Sequence, residues 1–238
     1  MVMKILTSGC SFSRGPIAWP NHIAKLFNAD LVNLAQAGAG NTYISRSVMA
    51  ELQQRSYDLV LVMWSGLERV DLQVDNIDYF DQTKYTSKYQ SLQNDWPEKI
   101  VEPINDQDYV QKNWVFGMGH LNKEPWLTKH GLFEKIYKHQ DFETHLQRSY
   151  YDILSLESYL KSRSIPYAFS FYQNYVESMG DFAKQLDWKH IYNRTNLYDI
   201  TQSINDYDTD NIHPGVDANK LWAQDFFTFL TTQNDYHT

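Results

Sequence analysis

The chain opens with two rhythms of apolar residues laid end to end. Residues 3–7 and 31–34 are short apolar runs of strand length. Between them, Ile23, Ala24, Leu26 and Phe27 recur at helical spacing, which predicts a helix over residues 20–27. A second helix is predicted over residues 42–54, with Asn41 as its amino-terminal cap. Leu59–Trp64 is an unbroken apolar run, the pattern of a parallel strand covered on both faces. Strand–helix–strand–helix–strand within 65 residues predicts a doubly wound α/β sheet. Further on, Leu146, Tyr150, Ile153, Leu154, Tyr159 and Leu160 predict a helix over residues 142–161. Residues 166–171 predict a fourth strand and 190–192 a short fifth one, and residues 216–230 a last helix.

Residues 66–140 break this rhythm. Asp71, Asp75, Asp78 and Asp81 come first, followed by Trp96-Pro97, Trp114, Gly117, Gly119 and Pro125-Trp126. The segment is expected to be an insertion or cap after the third strand, because long stretches without regular structure usually carry function. Its acidic residues lack the alternating spacing and glycine of a calcium loop, so they predict a solvated face. No repeat or linker divides residues 1–238, and a single domain is expected.

Composition narrows the function. Twenty-one Lys and Arg against 29 Asp and Glu give a formal charge of −8, and no basic cluster is present. That balance argues against nucleic acid as a partner, since phosphate binding needs clustered cations. The longest apolar run, six residues, is far below the ~20 that span a bilayer. The amino terminus turns polar at Thr7 before a secretory h-region can form, so a cytoplasmic location is expected. The one cysteine, Cys10, permits no internal disulfide and reads as a small core residue. His130, His139 and His145 are not spaced to share a helical face for zinc, and the Gly38-Ala39-Gly40 pair lacks the third glycine of a dinucleotide loop. No metal or cofactor is expected.

In an open α/β sheet, ligands meet the carboxyl ends of the strands. The segments there are Ser8–Ser13, Asn33–Asn41 and Trp64–Arg69, and a late Asp210-Asn211-Ile212-His213-Pro214 stands near the end of the chain. These blocks resemble the SGNH (GDSL-type) hydrolase family. Gly9-Cys10-Ser11 matches its Gly-Asp-Ser block, Asn33-x-Ala35-x-x-Gly38 its second block, and Asp210-x-x-His213 its late acid and base. The resemblance implies a three-layer α/β/α fold of flavodoxin-like kind, with Ser11 as nucleophile, His213 as base and Asp210 as orienting acid. It also implies an oxyanion hole from the Ser11 and Gly38 amides. The chemistry agrees, because a serine hydroxyl needs an imidazole to take its proton, and the imidazole needs an acceptor to fix its tautomer.

Two positions depart from the family. Cys10 stands where the family has Asp, a residue outside the triad. Residues 64–68 lack the third-block Asn, whose side chain is an oxyanion donor, and loss of such a donor costs ~100-fold or more. Asn41, Ser65 and Arg69 are the candidates to replace it, with Asn41 favoured because it shares a loop with Gly38. The expected function is an esterase acting on a small or carbohydrate-borne ester. The rival is a catalytically weak protein of the same fold, either carbohydrate-binding or a structural component of a phage particle and then virion-associated.

Overall fold

A computed structural model describes residues 2–73, 114–117 and 142–232. Residues 1–71 and 116–238 form one compact unit, and residues 72–115 a second. Most of the expected insertion, including Asp75, Asp78, Asp81, His130 and His139, lies outside the described residues.

The strands follow the apolar runs. They are β1 (Lys4–Ser8), β2 (Asp30–Asn33), β3 (Leu59–Trp64), β4 (Val70–Gln73), β5 (Trp114–Gly117), β6 (Tyr167–Phe171) and β7 (Ile191–Tyr192). The helices are α1 (Trp19–Phe27), α2 (Asn41–Gln54), α3 (Phe142–Ser162), α4 (Val176–Met179), α5 (Leu197–Ile204) and α6 (Val216–Thr232). Five strands make one parallel sheet in the order β2-β1-β3-β6-β7, and β4 with β5 makes a separate two-stranded sheet. This is the flavodoxin-like order, and its switch point lies between β1 and β3.

Strand periodicity sends alternate residues to opposite faces. Ile5, Leu59, Leu61, Met63, Ala168 and Tyr192 share one buried cluster with residues of α1, α5 and α6. The other face carries Leu6, Val60, Val62, Trp64, Tyr167 and Phe169, all almost fully buried, and α2 packs there against β1 and β3 with α3 beside it. Every residue of β3 is buried, as its unbroken apolar run requires. Much of the aromatic content goes into the first layer. Trp19, Trp222, Phe226 and Tyr192 are fully buried or nearly so, and their rings meet at 4.8–5.9 Å between centroids. Each such side chain contributes roughly 1.5–3 kcal/mol by leaving water.

Two local expectations need correction. Asn41 is the first residue of α2, not its cap; Gly40 precedes the helix, and a carboxylate from β4 caps it, with Asp71 accepting from Gly40 N (2.8 Å) and Tyr43 N (2.8 Å). Asp71 is accordingly buried and is no part of a solvated acidic face. A sequence pattern could not separate it from Asp75, Asp78 and Asp81, because its partners lie 31 and 28 residues away.

Candidate active site

The carboxyl ends of β1, β2 and β3 lie together at the switch point, turns leave β1 and β2 there, and the loop before α6 comes up beside the first of them. The first is the Gly9–Ser13 turn. Ser13 N bonds back to Cys10 O (3.0 Å) and Arg14 N to Ser11 O (3.2 Å), which winds residues 11–13 into one short 3-10 turn. Glycine is needed at position 9. A Cβ there would sit 2.3 Å from Ser13 Oγ and 3.0 Å from the Met63 carbonyl of β3. Ser11 is partly exposed on this turn, whereas Cys10 and Phe12 beside it are buried.

The second turn follows β2. Asn33 organises it with one carboxamide: Oδ1 accepts from Ala35 N (3.0 Å) and Nδ2 donates to Ser13 O (2.8 Å), so this turn is tied to the first. Gln36 N donates to Gly9 O (3.2 Å), a second tie. Gly38 has φ +80, a conformation that glycine adopts without cost. Neither the Ser11 nor the Gly38 amide donates to another backbone group among the described residues.

The third element is the loop before α6. Asp210 uses both oxygens. Oδ1 accepts from Ile212 N (2.9 Å) and His213 N (2.9 Å), closing the turn, while the His213 ring donates from Nδ1 to Oδ2. The three-residue spacing thus serves the turn and the ring together. The loop is locked further by Asp208 N to His213 O (2.8 Å) and by a bridge between Tyr207 and Pro214. Partial burial pushes the Asp210 carboxyl up, but the His213 N–H groups and Ile212 N–H outweigh it and hold it below the usual carboxylate range. It therefore stays charged beside an imidazole whose side chain is 33% exposed.

Asp210 and His213 are brought together directly. Of the Ser11 turn it is Phe12 that touches this pair: its ring packs on the His213 imidazole at 5.4 Å between centroids, and no hydrogen bond joins Ser11 Oγ to His213. Such bonds are often long without substrate. Phe12 also meets Tyr172 (4.8 Å), which lies under the Arg69 guanidinium (5.9 Å) and beside Tyr175 (5.8 Å). An aromatic row with one cation at its end therefore borders His213. The missed signal was Tyr172, whose position just past β6 puts it at a strand carboxyl end.

The three oxyanion candidates are all engaged or enclosed. Asn41 is buried and clamps the end of β3, accepting from Ser65 N (2.9 Å) and donating to Ser65 O (3.4 Å). Arg69 donates to Ala39 O (3.1 Å). Burial opposes its charge, but Cys10, Tyr172 and Glu68 outweigh that effect. Ser65 is fully buried, and its hydroxyl has no partner among the described residues.

Sequence reasoning missed Asn219. It stands among apolar residues of α6, where a polar side chain is itself a signal. Its Oδ1 accepts from Trp19 N (2.9 Å), and its Nδ2 donates to Pro214 O (3.0 Å) and Gly215 O (2.8 Å). Trp19 Nε1 in turn donates to Ser13 Oγ (2.9 Å). One run of buried contacts therefore links the Ser11 turn to the His213 loop. Among the described residues, no group of three or more His, Cys, Asp or Glu is gathered to hold a metal, and no helix is long and apolar enough to cross a membrane.

The fold and site define a three-layer α/β/α protein with polar turns gathered at the switch point of a parallel sheet. No protein-family profile matches the chain, and no curated protein sequence does. Solved structures similar to it include a psychrotrophic esterase from Pseudoalteromonas sp. (12% identical, 96% of this chain and 97% of that one, TM-score 0.49). Others are a candidate SGNH hydrolase from Slackia heliotrinireducens (13%, 96% and 99%, TM-score 0.36) and an acetyl xylan esterase from the rumen bacterium Butyrivibrio proteoclasticus (10%, 99% and 65%, TM-score 0.44). One of the three is named as an SGNH hydrolase and the other two as esterases.

Proposed function

We propose that the protein is a serine esterase in which Ser11 is the nucleophile, His213 the base and Asp210 the group that orients the imidazole and stabilises the imidazolium formed during the reaction. The observation that carries this reading is the Asp210–His213 pair, held in one tautomer and packed on the residue next to Ser11. In the reaction, Ser11 Oγ attacks the ester carbonyl and His213 Nε2 takes its proton. The oxyanion meets the amides of Ser11 and Gly38, and His213 returns the proton to the leaving alcohol. Water then releases the acyl group by the same sequence. No step needs a cofactor. The open position of the His213 ring and the aromatic row beside it suit a small or sugar-borne ester.

One observation favours a second reading, a binding or structural protein of the same fold. Residues 64–73 contain no Asn, and the Asn41 carboxamide is held by Ser65, so Asn41 is not free to stand in for the oxyanion donor of the family that the sequence resembles. Turnover of p-nitrophenyl acetate separates the two. The esterase reading expects saturable turnover that Ser11→Ala reduces to background with the melting temperature kept. Equal rates from both proteins would refute it.

A further inference from the structure

Beyond the Ser11 and His213 turns, the most enclosed charged group that meets functional backbone is Asp71, 6% exposed at the start of β4. Its two oxygens hold Gly40 N and Tyr43 N, each at 2.8 Å. Two residues earlier in the chain, Arg69 Nη1 donates to Ala39 O at 3.1 Å. The peptide units just after Gly38 are therefore gripped by an acid and a base from one short segment. Gly40 must be glycine for this, since a Cβ would lie 2.9 Å from Asp71 Oδ2 and 3.0 Å from Arg69 Cβ.

We propose that Asp71, supported by Arg69, is a positioning residue that in its charged form fixes the turn carrying the Gly38 amide and so aims that amide at the oxyanion. The proposal rests on the esterase reading above. A carboxylate only accepts, so both oxygens can serve the two N–H groups; a protonated carboxyl turns one oxygen into a donor facing an N–H. The charged and titratable groups around Asp71 are Arg69 from its own segment, Asp152 from α3 and Tyr43 from α2. Burial pushes the Asp71 carboxyl up to about 7 against the pull of the Tyr43 and Gly40 amides and of Arg69, while Asp152 adds to the rise.

The sign of the effect is then fixed. Oxyanion alignment improves as pH rises through about 7, because the charged form grips both amides. Stability moves the other way. A carboxyl raised on folding adds stability that is complete below its ordinary unfolded range and lost as pH rises through about 7.

The test is kcat/KM for p-nitrophenyl acetate from pH 5 to 9, in the wild type and Asp71→Asn, with thermal midpoints alongside. The wild type is expected to show an acid limb steeper than one proton, because His213 and Asp71 must both be deprotonated. Asp71→Asn should show a one-proton limb and about tenfold lower kcat at pH 8, with KM nearly unchanged. Its midpoint should also lose the part of the decline between pH 5 and about 7 that Asp71 causes. A one-proton wild-type limb, or wild-type kcat in the variant, overturns the positioning role while leaving the esterase reading standing. A wild type without turnover refutes both. If Asp71→Asn does not fold, the Gly40 amide resonance of the wild type decides: a titration near pH 7 supports the grip, and a flat response overturns it.

Discussion

Each oxygen of Asp210 has its own work, and that makes the residue separable by substitution. Oδ1 closes the turn through two backbone amides, and Oδ2 fixes the ring of His213. Asp210→Asn keeps the first function when its amide oxygen faces the turn, but it presents N–H to the ring and favours the wrong tautomer. Turnover should fall by about 10³–10⁴ while the melting temperature changes little. Circular dichroism melting and ester hydrolysis on the same sample check both halves. Gly9 makes the opposite kind of prediction. Because a Cβ there meets Ser13 Oγ at 2.3 Å and a β3 carbonyl at 3.0 Å, Gly9→Ala should cost about 1–3 kcal/mol and displace the Ser11 turn. Denaturant unfolding and turnover should therefore fall together. At this scale the sequence was informative where function needs local spacing. Asp210-x-x-His213 is legible because a three-residue gap suffices for the contact. Asp71 was not, because nothing near it in sequence distinguishes a buried cap from an acid in water.

Elements hold these residues through a few buried or half-buried carboxamides. Asn219 ties the start of α1 to the loop that ends in His213-Pro214-Gly215, and Asn33 ties the end of β2 to the Ser11 turn. Asn219→Ala would strand the Trp19 amide and the Pro214 carbonyl, each loss being worth about 1–3 kcal/mol, while Gly215 O keeps the Asn219 backbone N–H. The expected result is a lower midpoint and a fall in kcat larger than any change in KM, read by thermal melting and steady-state kinetics. Asn41 acts in the same way on β3, so Asn41→Ala should cost about 1–3 kcal/mol through the buried Ser65 amide. Asn41→Asp, which keeps the acceptor, should recover part of that loss. The elements themselves were readable from periodicity: β3 from its apolar run, α1 and α6 from their apolar stripes. What escaped was where a polar side chain inside an element points. Asn41 was expected to cap its own helix, but the chain gives that task to Asp71 and turns the carboxamide to a strand 24 residues on.

For the whole molecule, the strand order matters more than any single contact. Placing β1 and β3 side by side with β2 outside them opens a crevice at the switch point, where the turns after β1 and β2 are laced together by Asn33 and by the Gln36–Gly9 bond. The late loop reaches the same place because α6 packs on α1 in the aromatic layer. The layer and its crossovers were legible from alternating strand and helix patterns, whereas the contact of Phe12 with His213 became visible only once α1 and α6 were in place. The proposed esterase stands or falls on Ser11 being an activated nucleophile. The most direct measurement is reaction with a fluorophosphonate probe, followed by mass mapping of the adduct. The account predicts a single adduct on Ser11 that is lost in Ser11→Ala and slowed at least about 100-fold in His213→Ala. An unlabelled wild type, an adduct elsewhere, or labelling indifferent to His213 would contradict it.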